Sequence, residues 1–155
     1  MSDPAIPAAT RQIFLQKIFL KDASLEVPKA PQIYTRAWQP QIDVQITNGV
    51  QTLSADQYQV LLSVTVTAKL EQDVAFLVEV HQGGIFQLKG YAESADKQKA
   101  LGTECPNTLF PFAREAVAEL IQRGGFPQLL LQPVNFEALY QDHLTRAAQP
   151  AAKAH

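Results

Sequence analysis

The sequence predicts an α+β fold in which helices pack on one face of an antiparallel sheet. The prediction rests on apolar residues that alternate through the first half and recur three or four apart in the second, with glycine or proline between the runs. The first run, QIFLQKIFLKDASLEV at 12–27, is apolar on both sides. Strict alternation sets Ile13, Leu15 and Phe19 on one face and Phe14, Ile18 and Leu20 on the other, a strand that needs cover on both. PKAPQIYTRAWQP at 28–40 follows, with three prolines, Tyr34 and Trp38, and reads as a long extended crossover after the first strand.

QIDVQIT at 41–47 alternates Ile42, Val44 and Ile46 with polar residues, the period of a half-buried strand. Residues 57–70 repeat it: Tyr58, Val60, Leu62, Val64, Val66, Ala68 and Leu70 share a side, and Thr65, Thr67 and Lys69 face away. In 73–82, Phe76, Val78 and Val80 oppose Leu77, Glu79 and His81, until Gly83-Gly84 interrupts the run and IFQLKG continues it. Short links at Asn48-Gly49 and at 71–73 suit antiparallel neighbours. From Pro106, the residues Leu109, Phe112, Ala113, Ala116, Val117, Leu120 and Ile121 form a helical stripe that stops at Gly124-Gly125. Asn135 is the N-cap of a second helix, with Glu137 at its positive end and Phe136, Leu139, Tyr140 and Leu144 on a common face.

At 155 residues the chain suits one domain, placed at 11–146 between loose tails at 1–10 and 147–155. A hydrophobic content of 46% and a mean hydropathy of -0.08 indicate a globular chain. No stretch approaches the roughly 20 apolar residues of a membrane span, and no export signal is visible. With a single cysteine, Cys105, this points to the cytoplasm. The net charge is -2, and Lys and Arg do not cluster, which argues against nucleic acid and leaves an acidic surface for a basic partner open.

Catalytic and metal chemistry find little support. Cys105 precedes a helix start, where a thiol is activated, but His81 and His143 have no visible orienting partner. The histidines are scattered and there is no Cys-x-x-Cys, so no metal or other cofactor is expected. Gly83-Gly84 lacks the Lys and remaining glycines of a phosphate loop and reads as a bulge or bend. Asp22, Glu26, Asp43 and Glu79 are either solvated charges or an acidic docking face. The loop RGGFPQLLLQPVNFEALY at 123–140 is unusual: its glycines and prolines say loop, yet Phe126, Leu129, Leu130, Leu131, Val134 and Phe136 need cover.

KDASLEVPKAPQIYTRAWQP, VAFLVEVHQGGIF, CPNTLFPFAREAV and RGGFPQLLLQPVNFEALY together resemble SecB, the bacterial protein-export chaperone family, in order over about 11–145. The resemblance implies a four-stranded antiparallel sheet followed by two C-terminal helices, assembled as a homotetramer, a dimer of dimers with helices between eight-stranded sheets. It implies no catalysis, but a holdase that keeps unfolded precursors translocation-competent and delivers them to the ATPase SecA. A client groove would then use Tyr34, Trp38, Ile42, Val44, Ile46, Phe126, Leu129, Phe136, Leu139 and Leu144. Asp22, Glu26, Leu77 and Glu79 match the surface that receives the basic, zinc-bearing tail of SecA, the zinc belonging to the partner. Phe76, Val78, Val80 and Gln82 match positions that join dimers into tetramers. The stretch 91–101 matches weakly, and the tail AAQPAAKAH is less acidic than in several relatives. Other readings are a SecB-like chaperone dedicated to a toxin-antitoxin pair, or a small-molecule enzyme with an apolar pocket and a carboxylate base.

Overall fold

The computed structural model describes residues 10–148, so nearly all of the two sequence tails lies outside the described residues. Four strands form one antiparallel sheet in the order β1-β4-β3-β2: β1 Gln12–Glu26, β2 Gln41–Thr52, β3 Gln57–Leu70 and β4 Asp73–Lys89. Three helices follow, α1 Ser94–Gly102, α2 Glu104–Arg123 and α3 Phe136–Ala148. Since β1 and β2 are the opposite edges, 27–40 must cross the whole sheet end. It is not extended throughout, because Gln32–Thr35 forms a 3-10 turn. Arg36 pins it to the β3–β4 turn through Asp73 at 2.8 Å and the Leu70 carbonyl at 3.3 Å.

The core lies between the sheet and α2. Tyr58, Val60, Leu62, Val64 and Val66 of β3 and Phe76, Val78, Val80 and Phe86 of β4 are buried beneath Leu109, Ala113, Val117 and Ile121. Alternation in both strands therefore places one face inward and leaves the Thr, Ser, Glu and His residues on an outer face. Among the described residues no helix is long and apolar enough to cross a membrane.

Several sequence expectations change. Strict alternation fails in β1, where pairing with β4 slips between Leu15 and Lys17 and again between Leu20 and Asp22. Each extra residue reverses which face follows, so Ile13, Leu15, Ile18 and Leu20 all share the helix-side face, and Phe14 and Phe19 take the outer one. The irregularities lie in β1 and at Ala75 of β4, where pairing with β3 slips between Ala68 and Lys69, and not at Gly83-Gly84. There the missing side chains make room: a Cβ on Gly83 would sit 2.5 Å from the Phe19 ring, and one on Gly84 2.8 Å from Leu109.

Asn48-Gly49 is likewise no turn. β2 runs through it, and Asn48 donates from its side chain to the Leu101 carbonyl at the end of α1, at 3.0 Å. The chain reverses at 53–56, where Leu53 and Ser54 bond to the Gln57 carbonyl. Helix α1 was not anticipated, because only Ala100 and Leu101 of it are buried and no apolar stripe announces it.

Candidate functional site

An apolar groove opens where α2 fails to cover the sheet. α2 sits over β3 and β4, so the helix-side residues of β2 are left to face the α2–α3 loop and α3. Ile42 and Val44 are 39% and 40% exposed, and Ile46 is half-buried. Facing them, Leu129, Leu130, Leu131, Pro133 and Val134 of the α2–α3 loop and Ala138 and Leu139 of α3 complete a cavity of about 710 Å³. Its polar lining comes from Gln132, Asn135 and Asp142.

Local chemistry fixes the far wall. α2 ends with Gly125 at φ 85, which lets the Gly125 N–H reach the Gln122 carbonyl and the Phe126 N–H reach Ile121. That closure turns Phe126 back into the core, where its ring meets Tyr34, Trp38 and Phe76 at 5.2, 5.1 and 5.0 Å. The Tyr34 hydroxyl donates to the Gly124 carbonyl, tying crossover to loop. At the other end Asn135 caps α3, its Oδ1 accepting from the Ala138 N–H at 2.9 Å.

Of the residues expected in one groove, the structure brings Ile42, Val44, Ile46, Leu129 and Leu139 together. Tyr34, Trp38 and Phe126 form the neighbouring aromatic cluster, in which Phe126 is buried. Phe136 is buried against Phe110 at 5.9 Å and offers no groove surface. Leu144 is exposed and does not line the cavity. The predicted common face of α3 thus splits, with Phe136 packed on α2 and Tyr140 on Gly102 of α1, while Leu139 faces β2. Leu130, Leu131 and Val134 belong to the lining as well; their apolar character in a Pro-rich loop was the signal.

The outer face of the sheet gathers a second set. Cross-strand pairs are Glu26 with Leu77, Ser24 with Glu79 and Asp22 with His81, so Asp22, Glu26, Leu77 and Glu79 form one acidic corner of β1 and β4. His81 bridges it, its Nδ1 2.7 Å from the Ser63 hydroxyl and its Nε2 3.6 Å from Glu79.

Phe76, Val78, Val80 and Gln82 lie on the inner face of β4. All four are buried within the chain, Phe76 against the Trp38 and Phe126 rings and Gln82 donating to the Phe19 carbonyl at 3.1 Å. Cys105 is no nucleophile: it lies within the first turn of α2, fully buried, and burial followed by Glu104 pushes its thiol up to about 12. Among the described residues no group of His, Cys, Asp or Glu could hold a metal ion. Their buried polar residues are Gln82 and Thr103, so no carboxylate sits in an enclosed apolar site as an enzyme base would.

Comparison with known proteins follows the same lines. The family model for the preprotein translocase subunit SecB matches residues 7–147. The protein-export protein SecB of Nitrosococcus oceani is 50% identical over 145 residues, covering 92% of this chain and 88% of the relative. That of Hydrogenovibrio crunogenus is 48% identical over 139 residues, covering 90% and 93%. Among solved structures, a SecB-like chaperone of Mycobacterium tuberculosis in complex with an antitoxin peptide superposes with a TM-score of 0.66 at 20% identity. It covers 82% of this chain and 92% of that one, a likeness of fold.

Proposed function

The chain belongs to the SecB family of protein-export chaperones, and from that premise we propose that it holds unfolded precursors in the groove between β2 and the α2–α3 loop. It works by binding and not by catalysis. The observation that carries the reading is the groove itself, with Ile42, Val44, Leu130 and Leu139 left exposed around about 710 Å³. Burying such side chains is worth about 25 cal/mol per Å², with little demand on client sequence. A folded protein keeps its apolar residues inside and has nothing to offer the groove, so the site discriminates unfolded from folded chains.

The working unit is a single domain over residues 11–146, acting in the cytoplasm as a homotetramer. Delivery to SecA uses the acidic corner of the outer face, where Glu26 pairs with Leu77 and Asp22 and Glu79 lie further along the same two strands and suit a basic tail. Phe76, Val78, Val80 and Gln82, the positions matched to the joining of dimers, act on tetramer assembly from within the chain, where all four are buried. The version dedicated to an antitoxin has the likeness of fold alone behind it.

Capture of an unfolded precursor tests the groove. Leu129→Ser combined with Leu139→Ser should weaken capture by about tenfold or more, from about 1.4 kcal/mol of lost burial. Circular dichroism and native mass should not change. Capture that persists unaltered by a normally folded variant would show that clients bind elsewhere.

A further inference from the structure

We propose that α1 is a spacer that sets the position of α3, with Asn48 and Gly102 as its positioning residues, so that α1 selects the size of side chain the protein accepts. This role rests on the groove reading above and assigns it to an element that does not line the groove. Among the described residues of α3 only Phe136 is buried, so α3 has little hold of its own on the rest of the chain. Its first turn leans on α2 through Phe136 and Phe110, and its other support is α1. There the Tyr140 ring lies so close to Gly102 that a Cβ on Gly102 would sit 2.6 Å from it, and Lys99 pairs with Glu137 at 3.2 Å. Successive residues of an α-helix are about 100° apart round its axis, which puts Ala138 and Asp142 almost opposite Tyr140. Both line the groove. α3 therefore stands as a plate with α1 behind it and the groove in front, and whatever fixes α1 fixes the width of the groove.

The sheet fixes α1. Asn48 follows Ile42, Val44 and Ile46 on the helix-side row of β2, pairs across with buried Leu62 of β3, and donates to the Leu101 carbonyl at 3.0 Å. That carbonyl is one of those a helix leaves without an intrahelical partner in its last turn. Asn is disfavoured within a strand, and one pleat beyond Ile46 it ties α1 to the strand that floors the groove. Ala100 and Leu101 are buried in the core, and the Thr103 hydroxyl donates to the Lys99 carbonyl at 2.7 Å, which closes α1 before α2 begins. The floor of the groove and the spacer behind its far wall thus share one strand, so their separation is a built dimension. Gly102 completes it by letting Tyr140 come close. A side chain there moves Tyr140 by roughly 1 Å, since carbon atoms rest about 3.5–4.0 Å apart.

The test uses three peptides of one length, charge and apolar spacing, whose apolar residues are all Val, all Leu or all Trp, titrated by fluorescence anisotropy against the full chain. Gly102→Ala drives Tyr140, and α3 with it, toward the groove, and should cost the Trp peptide roughly tenfold more affinity than the Val peptide, as overpacking does. Ala is also the better helix former, so a weakened α1 does not account for the loss. Tyr140→Leu added to Gly102→Ala should bring the ratio back toward that of the native sequence. Tyr140→Leu alone, at a half-buried position, should shift the ratio toward Trp, and it decides the matter where Gly102→Ala does not fold. Asn48→Val, which cuts the tie to α1, should narrow the spread among the three peptides. An equal loss for all three peptides in these variants would show a structural role alone and overturn the spacer while leaving the groove reading intact. Unchanged ratios would overturn it as well, because the Tyr140 ring then swings aside without moving α3. Failure of the peptides to compete with an unfolded precursor on the native chain would sink the groove assignment, and the spacer with it.

Discussion

Gly83 and Gly84 are neighbours in β4, yet the absence of a side chain serves a different contact at each. A Cβ on Gly84 would meet Leu109 at 2.8 Å in the closed space between the sheet and α2. Leu109 is fully buried and cannot move away. A Cβ on Gly83 would meet the end of the Phe19 ring at 2.5 Å on the outer face, where the ring has solvent to swing into. Gly84→Ala should therefore cost about 1–3 kcal/mol by overpacking and Gly83→Ala distinctly less, as read from urea midpoints. Leu109→Val should restore part of the loss in Gly84→Ala alone; a larger cost at Gly83 would mean that the two faces are reversed. Cys105 supplies a pH signature. Its thiol, raised from 9.0 to about 12 chiefly by burial, stays protonated in the native state while the unfolded chain ionises. Between these values the unfolded state binds fewer protons, so stability must fall as pH rises from about 9 toward 12. The urea midpoint of the native sequence should drop more steeply over that interval than that of Cys105→Ala.

Among the elements, β3 and β4 were the most legible, because β3 alternates buried and more exposed residues along its length and β4 does so from Phe76 to Gln82. β1 was misread for a definite reason: two inserted residues reverse the alternation, and neither leaves a compositional mark. The groove was partly legible. Ile42, Val44 and Ile46 alternate in plain sight, and the apolar α2–α3 loop stands out. Nothing local, however, tells Phe136 to turn toward Phe110 and Leu139 toward β2. α1 escaped notice since its stability comes from two buried residues and from ties such as Lys99 to Glu137 at 3.2 Å, not from an amphipathic stripe. The acidic corner depends on strand pairing, since Asp22 and Glu26 become neighbours of Glu79 and Leu77 only when β1 lies against β4. Glu26→Lys with Glu79→Lys should abolish binding of a basic SecA tail peptide in calorimetry and leave capture of unfolded precursor unchanged. Loss of both activities would mean that the two surfaces are not separate.

At the scale of the molecule, the proposed tetramer needs a surface for a second copy, and the helix side leaves apolar residues uncovered. After the bulges, Leu15 and Leu20 of β1 lie on the helix-side face beside α2 and stay exposed, as does Phe112 on α2 itself. A second copy that covers them would bury apolar surface from both an edge strand and a helix, the combination needed to extend the sheet and stack helices between sheets. The groove lies at the opposite edge, along β2, so assembly through this side leaves client binding open. If the proposed tetramer forms through this side, Leu20→Asp together with Phe112→Asp should lower its native mass to that of two chains or one, while circular dichroism retains the strand and helix signal. Short peptides should still bind the smaller species, because each groove is built within one chain. Long unfolded precursors should dissociate faster from it, since linked grooves raise the effective concentration of each further contact. An unchanged native mass would place the assembly surface elsewhere. Dissociation that leaves the lifetime of long clients unaltered would show that one groove, and not the linked set, holds the precursor.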